Sequence, residues 1–212
     1  MPRRIESHMI AGPAGRLEAL LEEPESDPLH TALVLHPHPQ HGGTMHNKVV
    51  YRLARGLRAG GAAVLRFNYR GVNLSEGVYD HGRGELEDAR TALAWLRARY
   101  PTLPFRIAGF SFGARIALRL GEQTPGTLQI VAAGFPTRYG DQDGFAAGTT
   151  PRVFVQGTND PLGPKEEFQA FHDSVTGPSR VIWIESADHF FSGGLDRLES
   201  EITRLTLAGQ IA

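Results

Sequence analysis

Short apolar runs and longer stretches of helical spacing alternate along most of the chain. Two strand-like segments come first, at residues 4–10 and 15–22, and the turn "AGPAG" between them predicts an antiparallel hairpin. From residue 31 the rhythm changes. "TALVLH" (31–36), "AAVLRFNY" (62–69), "FRIAGF" (105–110), "LQIVAAG" (128–134), "RVFVQG" (152–157) and "SRVIWIES" (179–186) are short, nearly continuous apolar runs of the buried-strand type. Between them, apolar positions recur at helical spacing and predict helices over 47–61, 83–99, from 111, near 164–175 and near 193–208. Such alternation calls for a largely parallel, twisted sheet with helices on both faces and the hairpin added at one edge. No repeat, low-complexity tract or linker interrupts the pattern, so a single α/β domain over 1–212 is expected.

In sheets of this kind, ligands bind beyond the carboxyl ends of the strands. Reading those ends gives His36 and His38 after the third strand, Ser111 after the fifth, Asp160 after the seventh and His189 after the eighth. A serine hydroxyl is a weak nucleophile at neutral pH. It needs an imidazole to take its proton, and the imidazole needs a carboxylate to hold its tautomer and stabilise its charged form. Ser111, His189 and Asp160 supply one of each.

Composition narrows the chemistry further. With 212 residues, a net charge of −1 and no cluster of Lys and Arg, the chain offers no basic field for nucleic acid. Cysteine is absent, which removes disulfides, cysteine nucleophiles and thiolate metal sites together. The opening "MPRRIESHMIAG" carries charge without a following apolar stretch, and no run approaches the ~18 apolar residues of a membrane span. The expectation is a soluble, cytoplasmic protein with a small-molecule substrate, no membrane or nucleic-acid partner and no cofactor.

Ser111 stands in "GFSFG", between Gly109 and Gly113, where a strand meets a helix with no loop between. A bland tight turn with a surface serine would read the same over five residues. The elbow, the "GTND" turn that ends in Asp160, and the "ADHFF" loop that contains His189 occur in the order nucleophile, acid, histidine. In this the chain closely resembles the α/β-hydrolase family over nearly its whole length. The resemblance implies the α/β-hydrolase fold, with Ser111 as nucleophile, Asp160 as acid and His189 as base. Asp188 competes for the acid role, but side chains of adjacent residues diverge, and it is expected to be a solvated loop carboxylate. Asp141 and Asp143 lie in a polar, glycine-bearing loop and read as turn residues.

"HPHPQHGGTMHNK" places four histidines, at 36, 38, 41 and 46, close together. A metal site is one reading, but no acidic or thiol ligand completes a set, and none is assigned. In the resembled family this loop supplies an oxyanion donor. Pro37 and Pro39 have no N–H, so the backbone of His38 is the donor expected here, together with the backbone N–H of Phe112 at the helix start. The loop is similar to that of a small bacterial branch of the family with "HPHP" followed by glycines and an Asn-Lys pair. His36, Arg70 and Ser75 are expected to hold loops in place without taking part in chemistry.

Only "FPTRYGDQDGFAAGTT" separates the sixth strand from the seventh, too short for the helical lid that many family members insert there. The expected site is therefore open, with a substrate pocket formed by Phe135, Phe190 and Phe191. The resemblance implies a carboxylesterase acting through an acyl-enzyme, and the open, lidless cleft, which would bury few methylenes, favours small, short-acyl esters. Amide, thioester or dienelactone-like hydrolysis on the same three residues stays open, as does a non-catalytic binding protein of the same fold. An aspartate in place of Ser111 would have pointed instead to epoxide or halide cleavage.

Overall fold

The computed structural model describes residues 4–208. Strands β1 (Arg4–Gly12) and β2 (Gly15–Glu23) form the hairpin, followed by β3 (His30–Leu35), α1 (Lys48–Ala59), β4 (Ala62–Phe67), α2 (Arg83–Arg99), β5 (Phe105–Phe110) and α3 (Phe112–Glu122). The chain continues through β6 (Thr127–Ala133), β7 (Arg152–Gly157), α4 (Lys165–Asp173), β8 (Ser179–Ile184) and α5 (Leu195–Ala208). The eight strands make one sheet in the order β1-β2-β4-β3-β5-β6-β7-β8. From β4 to β8 every pairing is parallel, whereas β1–β2 and β2–β4 are antiparallel. This is the largely parallel sheet with an edge hairpin that the alternating pattern predicts, and it is the α/β-hydrolase fold that the resemblance implies.

Successive residues of a strand face opposite sides of the sheet, and here both sides are buried. Ala32, Val34, Val64, Ala108, Val131 and Val155 pack with α1 and α5, through residues such as Leu53, Leu57, Leu198 and Ile202. Leu33, Leu35, Leu65, Ile107, Ala132 and Phe154 pack on the other side with α2, α3 and α4. That two-sided burial explains why the strands read as unbroken apolar runs. The fourth run stops two residues early because its polar end has other work: Asn68 Oδ1 accepts from the Met45 N–H at 2.8 Å, and the Tyr69 N–H donates to His36 at 3.1 Å.

Between β5 and α3 the chain reverses on a single residue. Ser111 has φ 57° and ψ −116°, a conformation that costs a non-glycine residue about 1–3 kcal/mol and persists only where its surroundings enforce it. The two glycines make the reversal possible. A Cβ on Gly109 would lie 2.8 Å from the Ala114 nitrogen and collide with the Gly113 carbonyl. A Cβ on Gly113 would lie 2.6 Å from the His36 oxygen and collide with the Leu35 carbonyl at the end of β3. The start of α3 is thus pressed against both its own strand and the neighbouring one.

The histidine-rich loop leaves β3 at this same place. His36 is fully buried, its Nδ1 donates to the Pro37 carbonyl at 2.7 Å, and its Nε2 accepts from Tyr69. Burial lowers its pKa from the ordinary 6.5 to about 3, against a smaller opposing effect of the Pro37 bond, so the ring is a neutral structural spacer. Arg66 donates to the Met45 carbonyl at 2.7 Å and pairs with Glu22, fixing the far end of the loop. The loop after β4 is pinned as expected. Arg70 grips Asp88 through two side-chain bonds of 2.8 and 2.9 Å, and Ser75 Oγ donates to the Asn68 carbonyl at 2.7 Å.

Two outcomes follow from this architecture. Gly113→Ala should destabilise the protein by roughly 1–3 kcal/mol, read as a Tm lower by several degrees, because α3 must move off β3. An unchanged Tm would show that the helix is not pressed there. His36 holds its neutral form well below the pKa it has in the unfolded chain, so the unfolded state takes up the proton first, and stability should fall as pH drops from about 6.5 toward 3. Tm measured against pH should decline less steeply for His36→Gln, which keeps an acceptor and cannot titrate. Identical slopes would remove His36 as a cause.

Candidate active site

Three parallel strands deliver three side chains to one point. Ser111 follows β5, Asp160 lies in the turn after β7, and His189 lies in the loop between β8 and α5. His189 Nε2 is 2.8 Å from Ser111 Oγ, and His189 Nδ1 is 2.8 Å from Asp160 Oδ2. All three are buried, with Ser111 6 % and His189 7 % exposed. Asp160 is held on both oxygens. Its Oδ1 accepts from the Leu162 N–H at 2.8 Å, and its Oδ2 accepts from Gln156 Nε2 at 3.0 Å as well as from His189. An ionised carboxylate only accepts, so the imidazole proton sits on Nδ1 and leaves Nε2 free to accept from the serine hydroxyl. This arrangement can deprotonate Ser111 and stabilise the imidazolium that results.

Gln156 escaped the reading of the sequence. Its signal was a polar residue that follows the apolar "VFV" in "RVFVQG", fully buried and one position before the strand stops. It also bonds the Gly163 carbonyl at 3.2 Å, which ties the Asp160 turn to the chain that follows it. Gly134 contributes by being small. With φ 54°, it ends β6 beside the site, where an added Cβ would lie 3.3 Å from His189 Cε1.

The two residues expected to supply oxyanion donors are brought near each other. The rings of His38 and Phe112 are 5.1 Å apart, and the contact of Gly113 with Leu35 and His36 brings the start of α3 against the root of the histidine loop. Among the hydrogen bonds of the described residues, neither the His38 N–H nor the Phe112 N–H has an acceptor within the chain. The His38 ring is engaged as well: Nδ1 accepts from the Gln40 N–H at 3.2 Å and Nε2 meets the Tyr79 hydroxyl at 3.0 Å. Burial, followed by neighbouring His41 and His81, lowers its pKa, which favours the neutral ring these bonds require.

The expected substrate pocket needs correction. Phe135 and Phe191 are fully buried and cannot present a surface to substrate. Phe135 stacks on Phe171 at 5.0 Å and meets Phe145 and Phe154 edge-on, inside the core cluster on the α3 side. Phe191, at φ 56°, turns into the opposite cluster beside Phe110. Of the three, Phe190 alone is exposed, at 42 %, with its ring 5.6 Å from His189. Two aspartates also do more than expected. Asp141 pairs with Arg115, whose guanidinium lies over Phe145 at 4.7 Å. Asp188 accepts hydrogen bonds within the His189 loop.

Residues 134–151, between β6 and β7, hold one 3₁₀ turn (Gln142–Phe145) and no α-helix, so no helical lid is inserted there. Among the described residues, no helix is long and apolar enough to cross a membrane.

Comparison with known proteins gives the same picture. A family model described as an alpha/beta hydrolase domain matches residues 30–205. An alpha-beta serine hydrolase homologue from Coxiella burnetii is 35 % identical with a TM-score of 0.90, covering 98 % of this chain and 97 % of that one. A serine hydrolase without lid from Xanthomonas campestris is 32 % identical with a TM-score of 0.87, over 96 % and 94 % of the two chains. A more distant relative, a monoacylglycerol lipase of Mycolicibacterium smegmatis, is 28 % identical over 85 % of this chain and 63 % of its own length. With its sheet, its reversal at Ser111 and these matches, the chain belongs to the alpha/beta hydrolase family.

Proposed function

We propose that the protein is a serine carboxylesterase that cleaves small, short-acyl esters. The observation that carries this reading is the single imidazole placed 2.8 Å from both Ser111 Oγ and the Asp160 carboxylate. Ser111 attacks the ester carbonyl as His189 Nε2 takes its proton, and Asp160 stabilises the imidazolium. The tetrahedral oxyanion is met by the backbone N–H groups of His38 and Phe112, the latter at the positive end of α3. His189 returns the proton to the departing alcohol. Water, activated by the same imidazole, then hydrolyses the acyl-enzyme. The serine hydrolase homologues and the lipase named above support this class, and the lack of a helical insertion between β6 and β7 supports a small substrate. The chemistry would serve a thioester or amide equally, and the ester is preferred because the Mycolicibacterium smegmatis relative is a monoacylglycerol lipase.

Ser111→Ala should lower turnover by about 10⁴ to 10⁶ with little change in Tm, because the three groups act as a unit. Near-normal kcat in that variant would end the assignment. Substrate length is the second check. With Phe135 and Phe191 buried in the core, Phe190 is left as the aromatic beside His189, and an open rim covers few methylenes, each worth about 0.8 kcal/mol. Across a ladder of p-nitrophenyl esters, kcat/KM should peak at roughly two to six acyl carbons. A maximum at long chains would require a deep acyl tunnel.

A further inference from the structure

The loop that carries His189 is organised around a carboxylate with no part in the relay. Asp188 Oδ1 accepts from the N–H groups of Phe190 at 2.9 Å and Ser192 at 3.1 Å, and its Oδ2 accepts from Ser192 Oγ at 2.8 Å. The Ala187 N–H donates to the Ser192 carbonyl at 2.9 Å and closes the same turn from outside. His189 sits within this closed turn, and the buried Phe191 ring anchors it below. These donors, the Ser192 N–H first among them, hold the Asp188 pKa below its ordinary value, so the group is an acceptor throughout the neutral range.

Lys48 reaches the turn from another element. Its Nζ lies 3.2 Å from Ser192 Oγ and 5.6 Å from the centre of the Phe190 ring. An ammonium has only donors, so Ser192 Oγ must accept from Lys48 and give its single proton to Asp188. The bonds therefore run one way, from Lys48 through Ser192 to Asp188. A cation at the first residue of α1 is unfavourable for the helix itself, whose N-terminus is its positive end. Asn47, its neighbour, already caps that helix by accepting from the Val49 and Val50 N–H groups. The Asn-Lys pair thus divides its labour between helix cap and His189 loop.

We propose that Asp188, Ser192 and Lys48 form a clamp that holds the His189 turn in register with Ser111 and Asp160, which makes Asp188 a positioning residue. The inference rests on the reading of Ser111 and His189 given above. Its physical basis is tolerance: a relay of two 2.8 Å bonds fails when its middle member drifts by a fraction of an ångström, and a misplacement near 1 Å costs about 10²-fold.

The test uses the full chain with p-nitrophenyl butyrate, recording kcat, KM and Tm. Asp188→Ala should lower kcat by about 10- to 100-fold with KM changing much less, within about threefold, since the carboxylate acts through His189 and reaches the substrate rim only by its bond to the Phe190 N–H. Ser192→Ala and Lys48→Met should each lower kcat by roughly 3- to 10-fold, and Lys48→Arg should recover most of the loss. Adding Lys48→Met to Asp188→Ala should cost nothing further, because the lysine acts through the carboxylate. Wild-type kcat in Asp188→Ala, a loss confined to KM, or losses that multiply in the double variant would each overturn the clamp. If Asp188→Ala does not fold, Ser192→Ala decides, since it keeps both main-chain bonds to the carboxylate. Ser111→Ala is run alongside. An inert Ser111→Ala with a normal Asp188→Ala sinks the clamp alone, while an active Ser111→Ala sinks both readings.

Discussion

The close approach of β5, α3 and β3 around Ser111 is the constraint on which the rest depends. Two residues without side chains let a helix start where a strand stops, and the serine between them is forced to φ 57°. That geometry sets its hydroxyl against His189, leaves the next N–H without an acceptor in the chain and brings the end of β3 alongside. Every other part of the site meets this point. β7 and β8 are parallel neighbours on one side and bring the carboxylate and the imidazole, while β3 on the other side brings the histidine loop.

The loops are held by buried polar contacts. His36 links the first turn of its loop to Tyr69, Asn68 and Arg66 hold Met45, and Gln156 shares Asp160 with His189. Each of these groups is buried, so an unpaired donor or acceptor would cost about 1–3 kcal/mol. The bonds they do make fix the loops to within hydrogen-bonding tolerance, which a relay of charge needs more than it needs bulk stability.

Much of this was legible in the chain. Parallel strands buried on both faces write themselves as apolar runs, and the strand ends named Ser111, Asp160 and His189 before any geometry was known. The phenylalanines were not legible in the same way. Whether an aromatic beside a loop histidine faces the cleft or the core depends on local backbone turns, and the left-handed conformation of Phe191 is what sends it inward while Phe190 stays out. Asp188 is a partly exposed loop carboxylate, as expected, but adjacency to His189 excludes it only from bonding that ring, not from holding the turn around it. Nothing in the order of residues reveals that Phe190 and Ser192 return their N–H groups to it. Gln156 and the pairing of Asp141 with Arg115 were likewise matters of tertiary approach.

The central claim is that Ser111 is an activated nucleophile. The most direct measurement is to treat the folded protein with a fluorophosphonate, digest it and locate the adduct by mass spectrometry. The account predicts one adduct per chain, carried by Ser111 and abolished when the protein is unfolded before labelling. An adduct on another serine such as Ser75 or Ser192, or no adduct on the folded protein, would contradict it.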